Sequence, residues 1–233
     1  MNEERIFLQL SGEALKDAEK GGYDLAFVQE IARQVKEATG AGKRVGIVIG
    51  GGNYWRGRTG NEIERTKSDE IGMLATVMNC LYVSEVFRSE GMETELYSAI
   101  PAGTTAKPFS KDAAEKAFEE GKVLFFAGGT GHPYFSTDTG ITLRAVEMGA
   151  SRILLAKSID GVYDKDPGKN PDAKKYDTLP IGEIIAKRLG VIDLSAAIMC
   201  QENGIGLQIF DLRAENGIRD AISGKPIGTL VTV

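Results

Sequence analysis

Short apolar runs bounded by glycine and polar residues alternate along the chain with longer stretches whose apolar residues recur at helical spacing. The short runs predict strands over 5–10, 45–49, 93–97, 123–127, 152–156, 207–210 and 230–233. The longer stretches predict helices over 25–39, 68–90, 113–120, 139–148, 181–189, 194–203 and 214–223. Asp24 is placed to cap the first helix and Gly40 to end it, while Asp193 and Gly204 bracket the run "LSAAIMCQEN". Strands alternating with helices imply βαβ units, so the predicted fold class is α/β: a largely parallel sheet with helices on both faces. Residues 158–180 interrupt the rhythm and read as an irregular hairpin or excursion at the sheet's edge. No internal repeat or low-complexity segment divides the chain, which reads as one domain over 1–233 with two lobes.

Composition narrows the function classes. The 233 residues, 42% of them apolar and 26% charged, suffice for one sizeable core. A formal net charge of −5, with no basic run longer than Lys174–Lys175, argues against a nucleic-acid partner, because phosphate binding wants clustered cations. No apolar stretch is read as a membrane span, which needs roughly 20 residues. The start "MNEERIFLQL" has neither the basic end nor the long apolar region of a secretory leader, so the expected location is the cytoplasm. Cys80 and Cys200 fall in predicted helices and read as reduced packing thiols. With His132 as the one histidine, a His/Cys zinc site is close to excluded.

Candidate chemistry gathers where strands end. In an open α/β sheet, ligands bind beyond the carboxyl ends of the strands. Four of these ends are small or glycine-rich: "LQLSGE" at 8–13, "VIGGGN" at 48–53, "FAGGTGHP" at 126–133 and "LLAKSIDG" at 154–161. Bare amides in such turns form anion sites. Gly50, Gly51 and Gly52 then let a phosphate approach the main chain, and Arg56 offers a fork to its oxygens. A Walker-type loop is absent, and so is a dinucleotide-binding glycine motif between the first strand and its helix.

The segments "LSGEAL", "GIVIGGGNYWRG", "SDEIGMLATVMN", "AGGTGHPYFSTDTGITLRA", "DGVYDKDPGKNPDAKKYDTL" and "GTLV" resemble those of the bacterial uridylate (UMP) kinases in the amino acid kinase family. The resemblance runs from Arg5 to Val231, and "GMLATVMN" with the "RG" after "GGGN" is specific to that branch. It implies a three-layer α-β-α sandwich of the carbamate kinase-like kind, with an acceptor-nucleotide lobe over about 1–150 and an ATP lobe over about 151–233. It also implies phosphoryl transfer from ATP to UMP with Mg²⁺ carried by ATP, in a cytoplasmic homohexamer with GTP and UTP as effectors. Gln9, Asp138 and Lys157 would form the catalytic centre. Gln9, Leu10, Ser11, Gly12, Gly52, Arg56, Lys157, Tyr163 and Asp166 would bind ATP. Gly51, Asp69, Thr130, Gly131, His132, Pro133, Tyr134, Phe135, Ser136 and Thr137 would bind UMP, with Asp69 on the ribose hydroxyls. Plainer roles stand beside these: Asp69 as a helix-start charge, Asp138 as an N-cap, Tyr163 as an exposed turn aromatic and Trp55 as packing.

Three departures from the family pattern matter. Gln9 stands where the family has a lysine that reaches the transferring phosphate, His132 stands for an asparagine, and "PAGTTAKPFSKDAAEKAF" diverges. Loss of one charge-stabilising contact in a dry site costs on the order of 3 kcal/mol, about a hundredfold in rate. Gln9 and His132 therefore leave open a second reading, a non-catalytic nucleotide-binding regulatory or oxyanion-storage protein on the same scaffold.

Overall fold

In the computed structural model of the chain, which describes residues 4–17, 21–55 and 63–233, all seven predicted strands and all seven predicted helices are present. In chain order the elements are β1 (Arg5–Leu10), α1 (Leu25–Gly40), β2 (Arg44–Ile49), α2 (Arg65–Ser89), β3 (Thr94–Ser98), β4 (Lys107–Pro108) and α3 (Lys111–Glu119). There follow β5 (Val123–Ala127), α4 (Thr137–Glu147), β6 (Arg152–Lys157), β7 (Val162–Tyr163), β8 (Lys175–Tyr176) and β9 (Thr178–Pro180). The chain closes with α5 (Ile181–Lys187), α6 (Leu194–Asn203), β10 (Gly206–Asp211), α7 (Gly217–Ile222) and β11 (Thr229–Thr232).

Nine strands form one sheet in the order β4-β3-β5-β2-β1-β6-β10-β11-β9. Every pairing in it is parallel except β10 with β11. The excursion after β6 is a small antiparallel hairpin of β7 and β8, and β9 then returns to the sheet's edge.

The period-2 alternation of a strand decides what each residue faces. Ile6, Leu8 and Leu10 point into a core shared with Val28 of α1, Val83 of α2 and Ile218 of α7. Phe7 points the other way, into a second core with Phe118 of α3, Ile141 of α4 and Ala197 of α6. Each fully buried side chain of this size contributes roughly 1.5–3 kcal/mol. Gly46 on β2 makes room for Phe7, since a Cβ there would lie 2.8 Å from its ring. Gln9 has the parity of Phe7, and Lys157 that of Ile153 and Leu155 in the second core, so both reach toward α4.

Two expectations change. Helix α1 runs through Gly40, and the left-handed turn falls at Gly42, with φ +84°. Helix α2, at 25 residues, is long and apolar enough to cross a bilayer by length and composition, but half of its most apolar window is buried inside the molecule. Its apolarity serves the core against β3 and β5, through Val77, Cys80, Val83 and Phe87.

Candidate active site

The four glycine-rich ends predicted from sequence follow β5, β2, β1 and β6, which are neighbours in that order. Because these strands are parallel, the loops after them share one rim. Two glycines there are required by the protein's own backbone. A Cβ on Gly12 would sit 2.0 Å from the Gly50 carbonyl oxygen, and one on Gly51 would sit 2.6 Å from that of Gly72 in α2. The loops after β1 and β2 therefore interlock, and the second also seats on α2.

Two cavities open on this rim. The larger, about 420 Å³, is lined by Gly51, Gly52, Trp55, Arg65, Asp69, Gly72, Met73, Thr76, Gly129, Thr130, His132, Phe135, Ser136 and Thr137. The smaller, about 270 Å³, is lined by Gln9, Leu10, Ser11, Gly12, Glu13, Gly50, Gly51, Gly52, Thr137, Ala156, Lys157 and Ser158. They share Gly51, Gly52 and Thr137 and so meet over the glycine loop.

Next to the shared Thr137, Asp138 lines neither cavity, but its carboxylate gathers three donors. Asp138 accepts from Gln9 Nε2 at 2.8 Å, from Lys157 Nζ at 3.2 Å and from the Asp193 backbone N–H at 3.3 Å. Lys157 Nζ also donates to the Val191 carbonyl at 2.5 Å. Gln9 is buried, and its Oε1 has no hydrogen-bond partner among the described residues. Turning the amide over would set that oxygen against the Asp138 carboxylate, so the orientation is fixed by charge. The cap of α4 is Ser136, whose Oγ accepts from the N–H groups of Asp138 and Thr139. This corrects the N-cap reading of Asp138, whose side chain is left for Gln9 and Lys157.

Asp69 is likewise no helix-start residue. Glu64 caps α2 through the N–H groups of Thr66 and Lys67, and Asp69 lies a turn further in. Its Oδ2 accepts from Arg65 Nε at 2.7 Å and from the Tyr134 N–H at 2.8 Å. Trp55 donates from its indole N–H to Ser68 Oγ at 2.8 Å and still borders the larger cavity, so it both packs and lines. His132 ties its backbone to Thr130 Oγ1 and also borders that cavity.

The structure brings most of the predicted residues to one or other cavity. Gly131, Pro133 and Tyr134 lie on the same loop but outside the lining. Tyr163 and Asp166 line neither cavity: the Tyr163 hydroxyl donates to Asp160, and Asp166 accepts from the Gly168 N–H within the β7–β8 excursion. Arg56 lies outside the described residues. Sequence reading gave no site role to Arg65, Met73 or Thr76, and had Gly129 only as part of the glycine-rich turn at 126–133. Thr76 joins α2 to the rim by accepting from the Gly128 N–H at 2.8 Å. The signal available for Arg65 and Met73 was helical spacing, since both lie four residues from Asp69 on α2.

Residues 4–211 match the amino acid kinase family. A UMP kinase from Bacillus anthracis superposes with a TM-score of 0.93 at 31% identity, over 98% of this chain and 96% of that one. A UMP kinase from Ureaplasma parvum gives 0.93 at 34% identity, over 100% of both chains. A uridylate kinase from Archaeoglobus fulgidus, at 24% identity and a TM-score of 0.74 over 97% of this chain and 99% of that one, shares the fold.

Proposed function

The chain belongs to the amino acid kinase family, and from that premise we propose that it transfers the γ-phosphoryl group of ATP to UMP, giving UDP and ADP. The observation that carries this reading is the pair of cavities meeting over Gly51, Gly52 and Thr137, with Gln9 and Lys157 lining the smaller one and both held by Asp138. ATP takes the smaller cavity, with its phosphates along Ser11, Gly12 and Gly52. UMP takes the larger, with its ribose at Asp69 and its uracil within the run 130–137, where Phe135 is an exposed aromatic wall.

Phosphoryl transfer between two nucleotides asks for alignment and charge neutralisation rather than covalent help. The acceptor is already an anion at neutral pH, because a phosphate monoester has its second pKa at about 6. Its oxygen attacks the γ-phosphorus, the bond to the bridging oxygen of ADP breaks, and no side chain takes a proton. Asp138 then acts as an organiser: it holds Lys157 and the Gln9 amide beside the transferring group. Lys157 supplies the formal positive charge at the junction, and the α4 dipole adds to it near Thr137. The groups here are amides, Lys157, the Asp138 carboxylate engaged by both Gln9 and Lys157, and Glu13 on the lining of the smaller cavity. That set suits Mg²⁺ brought in on the phosphates of ATP, where the ion offsets their charge. The same reading places the enzyme in the cytoplasm as a homohexamer responsive to GTP and UTP. Exposed Ile71, Leu74, Met78 and Leu81 along one face of α2 support self-association.

The test is ADP release with UMP, CMP and dUMP in Mg²⁺. We expect UMP-dependent turnover, and Gln9→Lys raises kcat by up to about a hundredfold because it restores a charge at the transferring group. If neither protein phosphorylates UMP while both bind ATP, the regulatory or oxyanion-storage reading replaces this one. The unpaired Oε1 of Gln9 is the observation that favours that alternative.

A further inference from the structure

Asp69 presents a physical difficulty. A mostly buried carboxylate, with its side chain 13% exposed, lines a cavity that on the reading above admits an anionic nucleotide. Alone, it would repel the nucleotide's phosphate. Arg65, one helical turn earlier, resolves this. Its Nε donates to Oδ2 at 2.7 Å, and its guanidinium lies 5.0 Å over the Tyr134 ring. The Tyr134 N–H donates to the same Oδ2 at 2.8 Å, from a backbone at φ +71°, a conformation that most side-chain-bearing residues avoid. Both hydrogen bonds of the carboxylate among the described residues thus fall on Oδ2. Oδ1 is left as an acceptor, and the net charge beside the cavity is cancelled.

We infer that Arg65 is a positioning residue for the acceptor nucleotide. It turns Asp69 so that Oδ1 faces the ribose, neutralises it toward the phosphate, and clamps the 130–136 loop to α2 through Tyr134. The inference rests on the acceptor reading of the larger cavity and adds the residue that sets ribose selectivity. The arrangement assigns Arg65 to the sugar end, because Asp69 and Tyr134 already occupy its Nε and its face.

The experiment is calorimetric titration of the full chain and of Arg65→Gln with UMP and with dUMP, followed by steady-state kinetics. The unaltered protein binds UMP more tightly than dUMP. In Arg65→Gln, UMP binding weakens about tenfold, the loss expected when a charged hydrogen-bond partner goes. dUMP, already lacking one hydroxyl, weakens much less, so the preference shrinks. KM for UMP rises while kcat and KM for ATP hold within about twofold, since uniform binding is what is removed. Arg65→Lys keeps the charge and the stem but not the fork. It moves the preference in the same direction by less, and it carries the test if the glutamine variant does not fold. A preference that stays unchanged while the unaltered protein binds UMP overturns this inference alone. An unaltered protein that binds neither nucleotide overturns the acceptor reading and this inference with it.

Discussion

At the scale of single residues, the junction shows how one substitution alters a site without dismantling it. Gln9 keeps the hydrogen bond to Asp138 but not a cation's charge, and its other end is a buried oxygen with nothing to accept. Lys157 is bound to the same carboxylate, so the charge that remains is held by the side chain best able to use it. The cysteines illustrate the opposite case, reactive groups made inert. Burial pushes the Cys80 thiol up to about 12 and the Cys200 thiol up to about 11, the latter despite its hydrogen bond with Thr142. A raised thiol pKa means less thiolate at any given pH. Neither thiol should therefore react with Ellman's reagent in the native protein, and unfolding in guanidinium should release both. A native titre of one equivalent or more would contradict the burial of these side chains.

At the scale of elements, α2 and the glycine loop are one unit. Asn79, fully buried on α2, donates to the Gly50 carbonyl at 2.7 Å and to Asn53 Oδ1 at 2.7 Å. It accepts from Asn53 Nδ2 at 3.0 Å and from the Tyr23 hydroxyl at 2.6 Å. This amide pair, with Gly51 seated on Gly72, fixes the loop that both cavities share. Asn79→Ala takes the Asn79 partner from the Gly50 oxygen, from Asn53 and from the Tyr23 hydroxyl and leaves a void where a fully buried side chain stood. We expect a loss of about 3 kcal/mol, seen as a thermal midpoint lower by about 10 °C. A shift of under 2 °C, within about half a kcal/mol, would show that the network holds nothing.

At the scale of the whole molecule, sheet order does the assembling. β5, β2, β1 and β6 lie side by side although they are far apart in sequence, and that adjacency turns separate glycine turns into one rim. The apolar stripe on α2, with Leu74 and Met78 each 52% exposed, belongs to this scale too. If the proposed hexamer forms through it, Leu74→Glu and Met78→Glu should each shift sedimentation to a smaller species at equal loading. Unchanged sedimentation of both variants, or a monomeric unaltered protein, would remove the stripe from the interface.

Much of this protein is legible in order along the chain, because hydrophobic period and caps are local properties. The apolar run at Ile6, Phe7 and Leu8, the cap at Asp24, the stop at Gly204 and the glycines at four strand ends belong to that class. The resemblance to UMP kinases likewise rests on contiguous motifs. Cross-chain distances carry no such local mark. That Ser136 rather than Asp138 caps α4, that Gln9 and Lys157 converge on Asp138, and that Arg65 and Tyr134 share Asp69 follow from strand parity and helix placement. The sequence alone determined which elements form and which residues were available for chemistry. Tertiary structure decided which of them meet, because parallel sheet order and the depth at which α2 and α4 seat are set by packing between distant parts of the chain.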